Sequence, residues 1–178
     1  YMPRLVKIDN IEEGQILAST NKQMLTLGYD PNLPPIRVDK GLITRVFSNI
    51  LGNALKFTPE GGSVKAHIAH KENQLIITIE DSGPGVPLHE RERIFEKFAQ
   101  VKGGERRGAG LGLTFCKMVA EAHGGNLTVH ESGLGGALFC LRLPFSEEEA
   151  NLPTEVLIPQ APYGEWALDT PHHTPTPN

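Results

Sequence analysis

The most informative part of the sequence is the segment Asn49-Ile50-Leu51-Gly52-Asn53-Ala54-Leu55-Lys56-Phe57-Thr58. Asn49, Asn53 and Lys56 stand at positions i, i+4 and i+7, so one stripe of a helix presents two amides and one ammonium group. An amide oxygen is a hard neutral ligand suited to Mg²⁺, and a lysine on the same stripe adds positive charge for phosphate oxygens. Taken alone, the stripe also fits the solvated polar face of a structural helix.

The helix that carries this stripe is predicted to begin after Asp39, a suitable N-cap residue, and to end at Thr58-Pro59. Its apolar side consists of residues that recur every four positions and of their neighbours, namely Leu42, Val46, Ile50 and Ala54 with Ile43, Phe47 and Leu51. Such a side requires a partner layer to bury it.

The segments around this helix supply that layer. The alternation of polar and apolar residues predicts strands at 23–29, 63–70, 74–80, 126–131 and 137–143. Helical spacing predicts a short helix near 90–98 and a longer one at about 111–123. Because residues 71–73 form turns readily, the strands at 63–70 and 74–80 are expected to pair as an antiparallel hairpin. The prediction is an α+β fold, a sheet with helices on one face.

The composition limits the classes of function. The chain has 178 residues, 39% of them hydrophobic, and a net charge of -4, which fits a domain of ordinary size and excludes a basic surface for nucleic acid. Its two cysteines, Cys116 and Cys140, are too few for a disulfide framework or a four-cysteine zinc site and are predicted to be small buried thiols. The sequence has neither an apolar run long enough for a membrane span nor a secretory signal within residues 1–10, which predicts a cytoplasmic location.

The last part of the sequence differs from the rest. Six of the 14 prolines follow Ser146, and an acidic run at 147–149 precedes them, which predicts a disordered tail over 146–178. Residues 156–158 and Trp166 are apolar points that could dock on the domain or on a partner. The predicted division is a linker or the end of an upstream helical domain at 1–18, a folded domain at 19–145, and the tail.

A second candidate binding segment is Asp81-Ser82-Gly83-Pro84-Gly85-Val86, which follows the predicted strand 74–80. The glycines let the backbone pass close to a flat ligand, and the acceptor-only carboxylate of Asp81 suits an exocyclic amine such as that of adenine. By itself this segment also fits an ordinary glycine turn.

A third candidate segment is Gly108-Ala109-Gly110-Leu111-Gly112-Leu113, at the start of the predicted helix 111–123. Glycine-rich backbone at a helix N-terminus presents free N–H groups and a partial positive charge, which favour an anion. A dinucleotide-binding motif is excluded because no strand leads into this run, and a Walker phosphate loop is excluded because no Gly-Lys-Ser/Thr follows it.

Taken together, these segments resemble the sequence boxes of sensor histidine kinases over roughly residues 25–143. Residues 49–58 resemble the N box, 81–85 the G1 box, 93–98 the F box, and 108–113 with 123–125 the G2 region. The resemblance implies the Bergerat ATP-binding fold. This fold is a two-layer α/β sandwich whose mixed, mostly antiparallel sheet is covered on one face by about three helices, with a flexible ATP lid.

The resemblance also implies a role for each matching residue. Asn53 would hold Mg²⁺, Asn49 and Lys56 would act as catalytic residues on phosphates or metal-bound water, and Asp81 would select adenine. The other implied nucleotide-binding residues are Phe57, Gly83, Gly85, Arg107, Gly108, Gly110, Leu111 and Gly112. The lid would span about 99–107. Because Gln100 stands where many family members have an arginine, Lys102, Arg106 and Arg107 all remain candidates for neutralising the γ-phosphate.

Phosphoryl transfer is favoured over hydrolysis. The hydrolases that share this fold have a catalytic glutamate four residues before the metal-binding asparagine, and here that position is Asn49, which cannot act as a general base. The first 66 residues contain no histidine, so the chain is expected to be the catalytic part of a longer kinase. Expected partners are a histidine-bearing dimerisation domain and a response regulator, with a homodimeric full-length protein and a monomeric fragment. A degenerate nucleotide sensor and a serine-directed kinase of the same fold are the alternatives.

Overall fold

The structure, a computed structural model, describes residues 5–6, 11–34, 38–97, 99, 111–144, 156–157 and 166–168. The helices are α1 (Ile11–Thr20), α2 (Lys40–Phe57) and α3 (Gly112–Ala122). The strands are β1 (Leu5–Val6), β2 (Met24–Tyr29), β3 (Ser63–Lys71), β4 (Gln74–Asp81), β5 (Asn126–Glu131), β6 (Ala137–Pro144), β7 (Val156–Leu157) and β8 (Trp166–Leu168). None of the described helices is both long enough and apolar enough to cross a membrane.

Six strands form one mixed sheet in the order β5-β6-β4-β3-β2-β8. Neighbours pair antiparallel except β2 and β3, which are parallel because α2 lies between them in the chain and returns it to the same end of the sheet. The predicted hairpin of β3 and β4 is confirmed, with Ala66 opposite Ile79. The predicted α+β architecture is therefore correct.

Buried and more exposed side chains alternate along the strands, so one face of the sheet lies in the core. On β4 the side chains of Leu75, Ile77 and Ile79 are buried, and Asp81 continues the same series as the last residue of the strand. Because a strand has a side-chain period of two, this carboxylate is directed to the face that the helices cover. The alternation of side chains along β4 therefore places the charged group of Asp81 at the edge of the apolar core.

Helix α2 covers this face of the sheet. Its N-cap is Asp39, whose Oδ1 accepts the N–H of Leu42 at 2.9 Å, as predicted. Its buried residues are Ile43, Val46, Phe47, Ile50, Leu51, Ala54 and Leu55. Leu42, which belongs to the predicted apolar side, is 36% exposed, because a helix has 3.6 residues per turn and a four-residue repeat drifts off the buried face.

Helix α3 packs beside α2 through both apolar and polar contacts. The guanidinium of Arg45 lies 4.3 Å from the centre of the Phe115 ring. At the other end, Nε2 of His123 accepts the N–H of Asp39 at 3.2 Å, while its Nδ1–H donates to the carbonyl of Val119 at 2.8 Å. With these contacts α3 runs antiparallel along the first half of α2, and Gly112 at its N-terminus lies beside Asn49.

The predicted helix near residues 90–98 is wrong. The structure has two short 3-10 turns there, Leu88–Glu90 and Arg93–Phe95, and the backbone is extended again at Glu96. In the second of these turns Ile94 is the buried residue. Phe98 lies outside the described residues.

Two described segments fall within the predicted tail. Strand β7 pairs with β1 in parallel, and β8 pairs antiparallel with β2 in the register Thr26 opposite Ala167. Strand β8 thus covers the outer edge of β2, which would otherwise present unpaired backbone groups. The rest of the predicted tail, and the predicted domain boundaries that depend on it, lie outside the described residues.

Candidate functional site

The amide and ammonium stripe lies on α2, as the spacing predicts. Asn49, Asn53 and Lys56 are each partly buried, so the stripe runs along the border between the core and the solvent. Nζ of Lys56 lies 5.3 Å from the centre of the Phe57 ring, and Phe57 itself is 51% exposed. A large exposed aromatic beside a cation offers an open apolar surface next to charge, as a nucleotide requires.

The N-terminus of α3 faces this stripe. A Cβ atom added to Gly112 would lie 3.8 Å from Cγ and 3.9 Å from Oδ1 of Asn49. Leu111 stands at the N-cap position with a 45% exposed side chain, and no side chain in the described part of the chain caps this helix. The first N–H groups of α3 and the Asn49 carboxamide therefore converge on one place, where an anion would be stabilised.

Asp81 forms the other end of the site and is 4% exposed. Its Oδ1 accepts the N–H groups of Gly83 at 2.8 Å and Ala137 at 3.2 Å. Among the described residues no group donates to Oδ2, so one acceptor oxygen remains for a ligand. Burial raises the pKa of Asp81 above the ordinary value, and the two backbone N–H bonds oppose that rise.

Glycines let three backbone segments meet around this carboxylate. A Cβ atom at Gly83 would lie 2.8 Å from the carbonyl oxygen of Phe57 at the end of α2 and 2.9 Å from Oδ1 of Asp81. Gly85 has a positive φ of 72°, and a Cβ there would lie 3.2 Å from the carbonyl oxygen of Gly136. The end of α2 and the Asp81 loop are therefore in direct contact, so the two predicted segments lie together in the candidate site.

Sequence reasoning missed Gly136 and Ala137. The N–H of Gly136 donates to the carbonyl of Asp81 at 3.0 Å, and the pairing of β4 with β6 places both residues beside the carboxylate. The available signal was the pair Gly135-Gly136 immediately before a predicted strand, which marks a close approach of backbones. Gly108, Gly110 and Arg107 lie outside the described residues, as does the predicted lid at 99–107 apart from Ala99.

We expect Gly136→Ala to destabilise the domain, because its Cβ would overlap the Asp81 carboxylate and lie 2.6 Å from the backbone N of Gly83. The expected loss in the free energy of unfolding is about 1–3 kcal/mol, measured by urea denaturation. Gly133→Ala is the matched control, because a Cβ at Gly133 meets nothing within 4 Å. Equal denaturation midpoints for the two variants would contradict the packing described for this loop.

The donor set fits a Mg²⁺-bound triphosphate. Among the described residues no cluster of three or more histidine, cysteine or acidic side chains could hold a metal by itself. The amide oxygens of Asn49 and Asn53 are nevertheless hard ligands, and Mg²⁺ commonly takes few protein ligands and shares phosphate oxygens and water. The N-terminus of α3 and Lys56 would supply positive charge for the phosphates.

The chain is similar in sequence to known proteins. The model of the family described as "Histidine kinase-, DNA gyrase B-, and HSP90-like ATPase" matches residues 38–147, more than half of the chain. Among curated relatives, the sensor histidine kinase TmoS of Ectopseudomonas mendocina is 39% identical over 134 residues, covering 71% of this chain and 14% of that protein. The alginate biosynthesis sensor protein KinB of Pseudomonas aeruginosa is 39% identical over 120 residues, covering 67% of this chain and 20% of that protein.

Solved structures give the same result. The mycobacterial sensor histidine kinase MprB superimposes with a TM-score of 0.65 at 28% identity, covering 75% of this chain and 92% of that chain. Full-length ShkA in complex with AMPPNP superimposes with a TM-score of 0.65 at 31% identity, covering 78% of this chain and 30% of that chain.

The chain therefore belongs to the family of histidine kinase-, DNA gyrase B- and HSP90-like ATPases. Within this family it corresponds to the catalytic ATP-binding domain of sensor histidine kinases, with the Bergerat fold. It spans 14% and 20% of the length of the two relatives above.

Proposed function

We propose that this domain binds Mg-ATP between α2, the Asp81 loop and the N-terminus of α3, and transfers the γ-phosphoryl group to a histidine of a dimerisation domain outside this chain. The proposal is supported chiefly by the presence, in one site, of an acidic end and an end rich in amide and positively charged groups. A buried carboxylate, whose Oδ2 accepts no hydrogen bond from a described residue, lies at one end. An amide and ammonium stripe beside the N-terminus of α3 lies at the other end. ShkA, a similar protein, has been solved with the ATP analogue AMPPNP.

Asp81 would recognise the base. The exocyclic amine of adenine is a donor, and Oδ2 is an acceptor held in place by the two N–H bonds to Oδ1. Guanine carries a carbonyl oxygen at the same position. This oxygen and the carboxylate are both acceptors, so no hydrogen bond would form between them. Gly83 and Gly85 would shape the adenine pocket by letting the loop backbone pack closely against Phe57 and Gly136.

The other end of the site would hold the phosphates. Asn53 would provide the amide oxygen that holds Mg²⁺. Asn49 would contact phosphates or metal-bound water, and Lys56 would neutralise phosphate charge. When bound, Mg²⁺ would neutralise charge on the phosphates during transfer. The backbone at Gly110, Leu111 and Gly112 would add N–H donors, and the candidates Lys102, Arg106 and Arg107 would add lid charge.

The chain itself would supply position and charge rather than a nucleophile. The imidazole of the acceptor histidine would attack the γ-phosphorus, a P–N bond would form, and the bond from that phosphorus to the β,γ-bridging oxygen would break to release ADP. Asn49 occupies the position from which a hydrolase glutamate would activate water, and an amide cannot take up that proton. Transfer to a positioned histidine is therefore favoured over hydrolysis.

In this proposal the domain works in the cytoplasm as part of a two-component system. The full-length protein would be a homodimer that passes the phosphoryl group to a response regulator, and the isolated chain would be a monomer. The similarity to sensor kinases supports these partners.

The test mixes the chain with a separately expressed histidine-bearing dimerisation domain of a sensor kinase and γ-labelled ATP. We expect acid-labile, alkali-stable label on that domain, and no label on its His→Gln variant, because phosphohistidine is hydrolysed by acid. Acid-stable label would assign the domain to the serine-directed kinases. ATP binding without transfer, measured by calorimetry in parallel, would leave the nucleotide sensor as its function.

A further inference from the structure

A buried amide from outside α2 binds the C-terminal end of that helix. Gln23 immediately precedes β2 and is 2% exposed. Its Nε2 donates to the carbonyl of Leu55 at 2.8 Å and to the carbonyl of Thr58 at 2.5 Å. The last carbonyls of a helix have no partner within it. One side chain therefore satisfies a carbonyl in the last turn of α2 and the carbonyl of the residue that follows the helix.

These two carbonyls lie on either side of Lys56 and Phe57 in the sequence. Both residues belong to the candidate site, and the carbonyl of Phe57 also borders the Asp81 loop. A Cβ atom added to Gly83 would lie 2.8 Å from that oxygen. The backbone that carries Lys56 and Phe57 is thus bound by Gln23 before and after the pair, and it contacts the Asp81 loop.

The backbone next to Gln23 is fixed to the turn that follows α2. The N–H of Gly61 donates to the carbonyl of Lys22 at 3.0 Å, and the N–H of Met24 donates to the carbonyl of Gly62 at 2.9 Å. Because these bonds lie directly before and after Gln23, its side chain starts from a defined position relative to the end of the helix.

Only one orientation of the Gln23 amide fits these contacts. Rotation of the amide would place Oε1 against the two carbonyl oxygens, and an acceptor cannot bind an acceptor. Oε1 itself is buried and has no hydrogen-bond partner in the described part of the chain. An apolar side chain of the same length would fill this position but would leave both carbonyls without their donor. The contribution of the amide therefore lies in its two N–H groups.

We propose that Gln23 is a positioning residue that fixes the backbone of Lys56 and Phe57 against the Asp81 loop, and so sets the place of the Lys56 ammonium relative to the Asp81 carboxylate. The consequence for the nucleotide rests on the proposed function, in which Lys56 serves the phosphates and Asp81 the base. The fixed end of α2 is a property of the ligand-free protein.

The experiment compares Gln23→Met with Leu143→Ala. Methionine is similar to glutamine in length and volume but has no N–H group to donate. Leu143 is 1% exposed on β6 and serves as the control for a loss of stability alone. Gln23→Asn, whose shorter side chain withdraws the amide from both carbonyls, takes the place of Gln23→Met if that variant does not fold.

There are two readouts, both taken where circular dichroism shows the variants to be folded. The first is the backbone ¹⁵N–¹H resonance of Gly83 in the ligand-free protein, because this N–H donates to Oδ1 of Asp81 at 2.8 Å. The second is the dissociation constant of Mg-ATP, measured by calorimetry.

We expect Gln23→Met to shift the Gly83 resonance and to weaken Mg-ATP binding about 3- to 10-fold, the range for one neutral hydrogen bond. Leu143→Ala should leave the resonance in place and the affinity within about 2-fold of wild type, because it lies away from the site. In a Lys56→Met background the effect of Gln23→Met on affinity should fall below about 2-fold, because Gln23 acts through the position of Lys56.

Two results would overturn the inference. One is a Gly83 resonance that does not respond to Gln23→Met. The other is an affinity loss of the same size in the Lys56→Met background, which a general loosening of the core would produce. A wild-type chain that does not bind Mg-ATP would instead refute the proposed function. The resonance measurement would then still decide whether Gln23 fixes the end of α2 against the Asp81 loop.

Discussion

Replacing Asp81 by asparagine is expected to abolish the preference for adenine over guanine nucleotides while the domain stays folded. Asparagine keeps an oxygen for the N–H groups of Gly83 and Ala137 but replaces the open oxygen with an NH₂ donor. That NH₂ group would face the adenine amine donor to donor, without a hydrogen bond, but it could donate a hydrogen bond to the guanine carbonyl oxygen. Loss of a hydrogen bond to a charged group corresponds to about 1.5–3 kcal/mol, so ATP affinity is expected to fall roughly 10- to 150-fold.

The stability of the Asp81→Asn variant separates recognition from folding. Burial raises the pKa of Asp81 in the folded state. The neutral carboxyl group therefore makes its full contribution to the stability of the fold at pH values below the ordinary pKa of 3.8. This contribution is lost as the pH rises through the higher folded value. An uncharged asparagine carries no such loss, and the variant is therefore expected to unfold at neutral pH at the same urea concentration as wild type or at a higher one.

The measurement is a calorimetric titration of ATP and GTP into both proteins at pH 7.5 with excess Mg²⁺. Glu80→Gln is the matched control, because it makes the same change of charge one residue away, where Oε2 accepts the Ser132 hydroxyl at 3.0 Å. That control is expected to keep the ATP preference. Equal binding of ATP and GTP by wild type, or an unchanged preference in Asp81→Asn, would refute the assignment of the base-binding end.

The second large effect concerns Asn53. Asn53→Ala removes the amide oxygen proposed to hold Mg²⁺ and leaves Asn49 and Lys56 in place on the same helix. We expect the ratio of ATP dissociation constants without and with Mg²⁺ to fall to about 1, because metal would no longer be anchored to the protein. Phosphoryl transfer is expected to fall about 100-fold or more, since charge neutralisation accounts for most of the acceleration in this chemistry.

Asn73→Ala is the control for Asn53→Ala. Asn73 is an exposed asparagine in the turn between β3 and β4. Mg²⁺ dependence and transfer are expected to match wild type in this control. If Asn53→Ala retains the wild-type Mg²⁺ dependence, the ion is held elsewhere and the proposed phosphate end is misassigned.

The parts of the fold that follow from local periodicity were predictable. Helix α2, with its Asp39 cap, and the hairpin of β3 and β4 depend on periods of 3.6 and 2 within single segments. The conformation of the segment at 90–98 could not be predicted in this way, because it depends on contacts with other parts of the chain rather than on a periodic pattern of apolar residues. There the buried carboxylate of Glu90 pairs with Arg93 at 3.1 Å, and Phe95 packs edge-on against Phe139 of β6.

The candidate site likewise has parts that the sequence predicts and parts that only the structure reveals. The stripe on α2 and the carboxylate of Asp81 could be predicted because each depends on one short segment. The contact of Ala137 with Asp81 joins residues that are 56 positions apart in the sequence. Only the packing of the strands and helices brings such pairs together, so no local pattern could reveal them.

The most direct test of the account is a crystal structure of the chain with Mg²⁺ and a non-hydrolysable ATP analogue. We expect the exocyclic amine of adenine within hydrogen-bonding distance of Asp81 Oδ2, and the amide oxygen of Asn53 among the ligands of the ion. An analogue bound outside this site, or an ion that the Asn53 side chain does not contact, would contradict it.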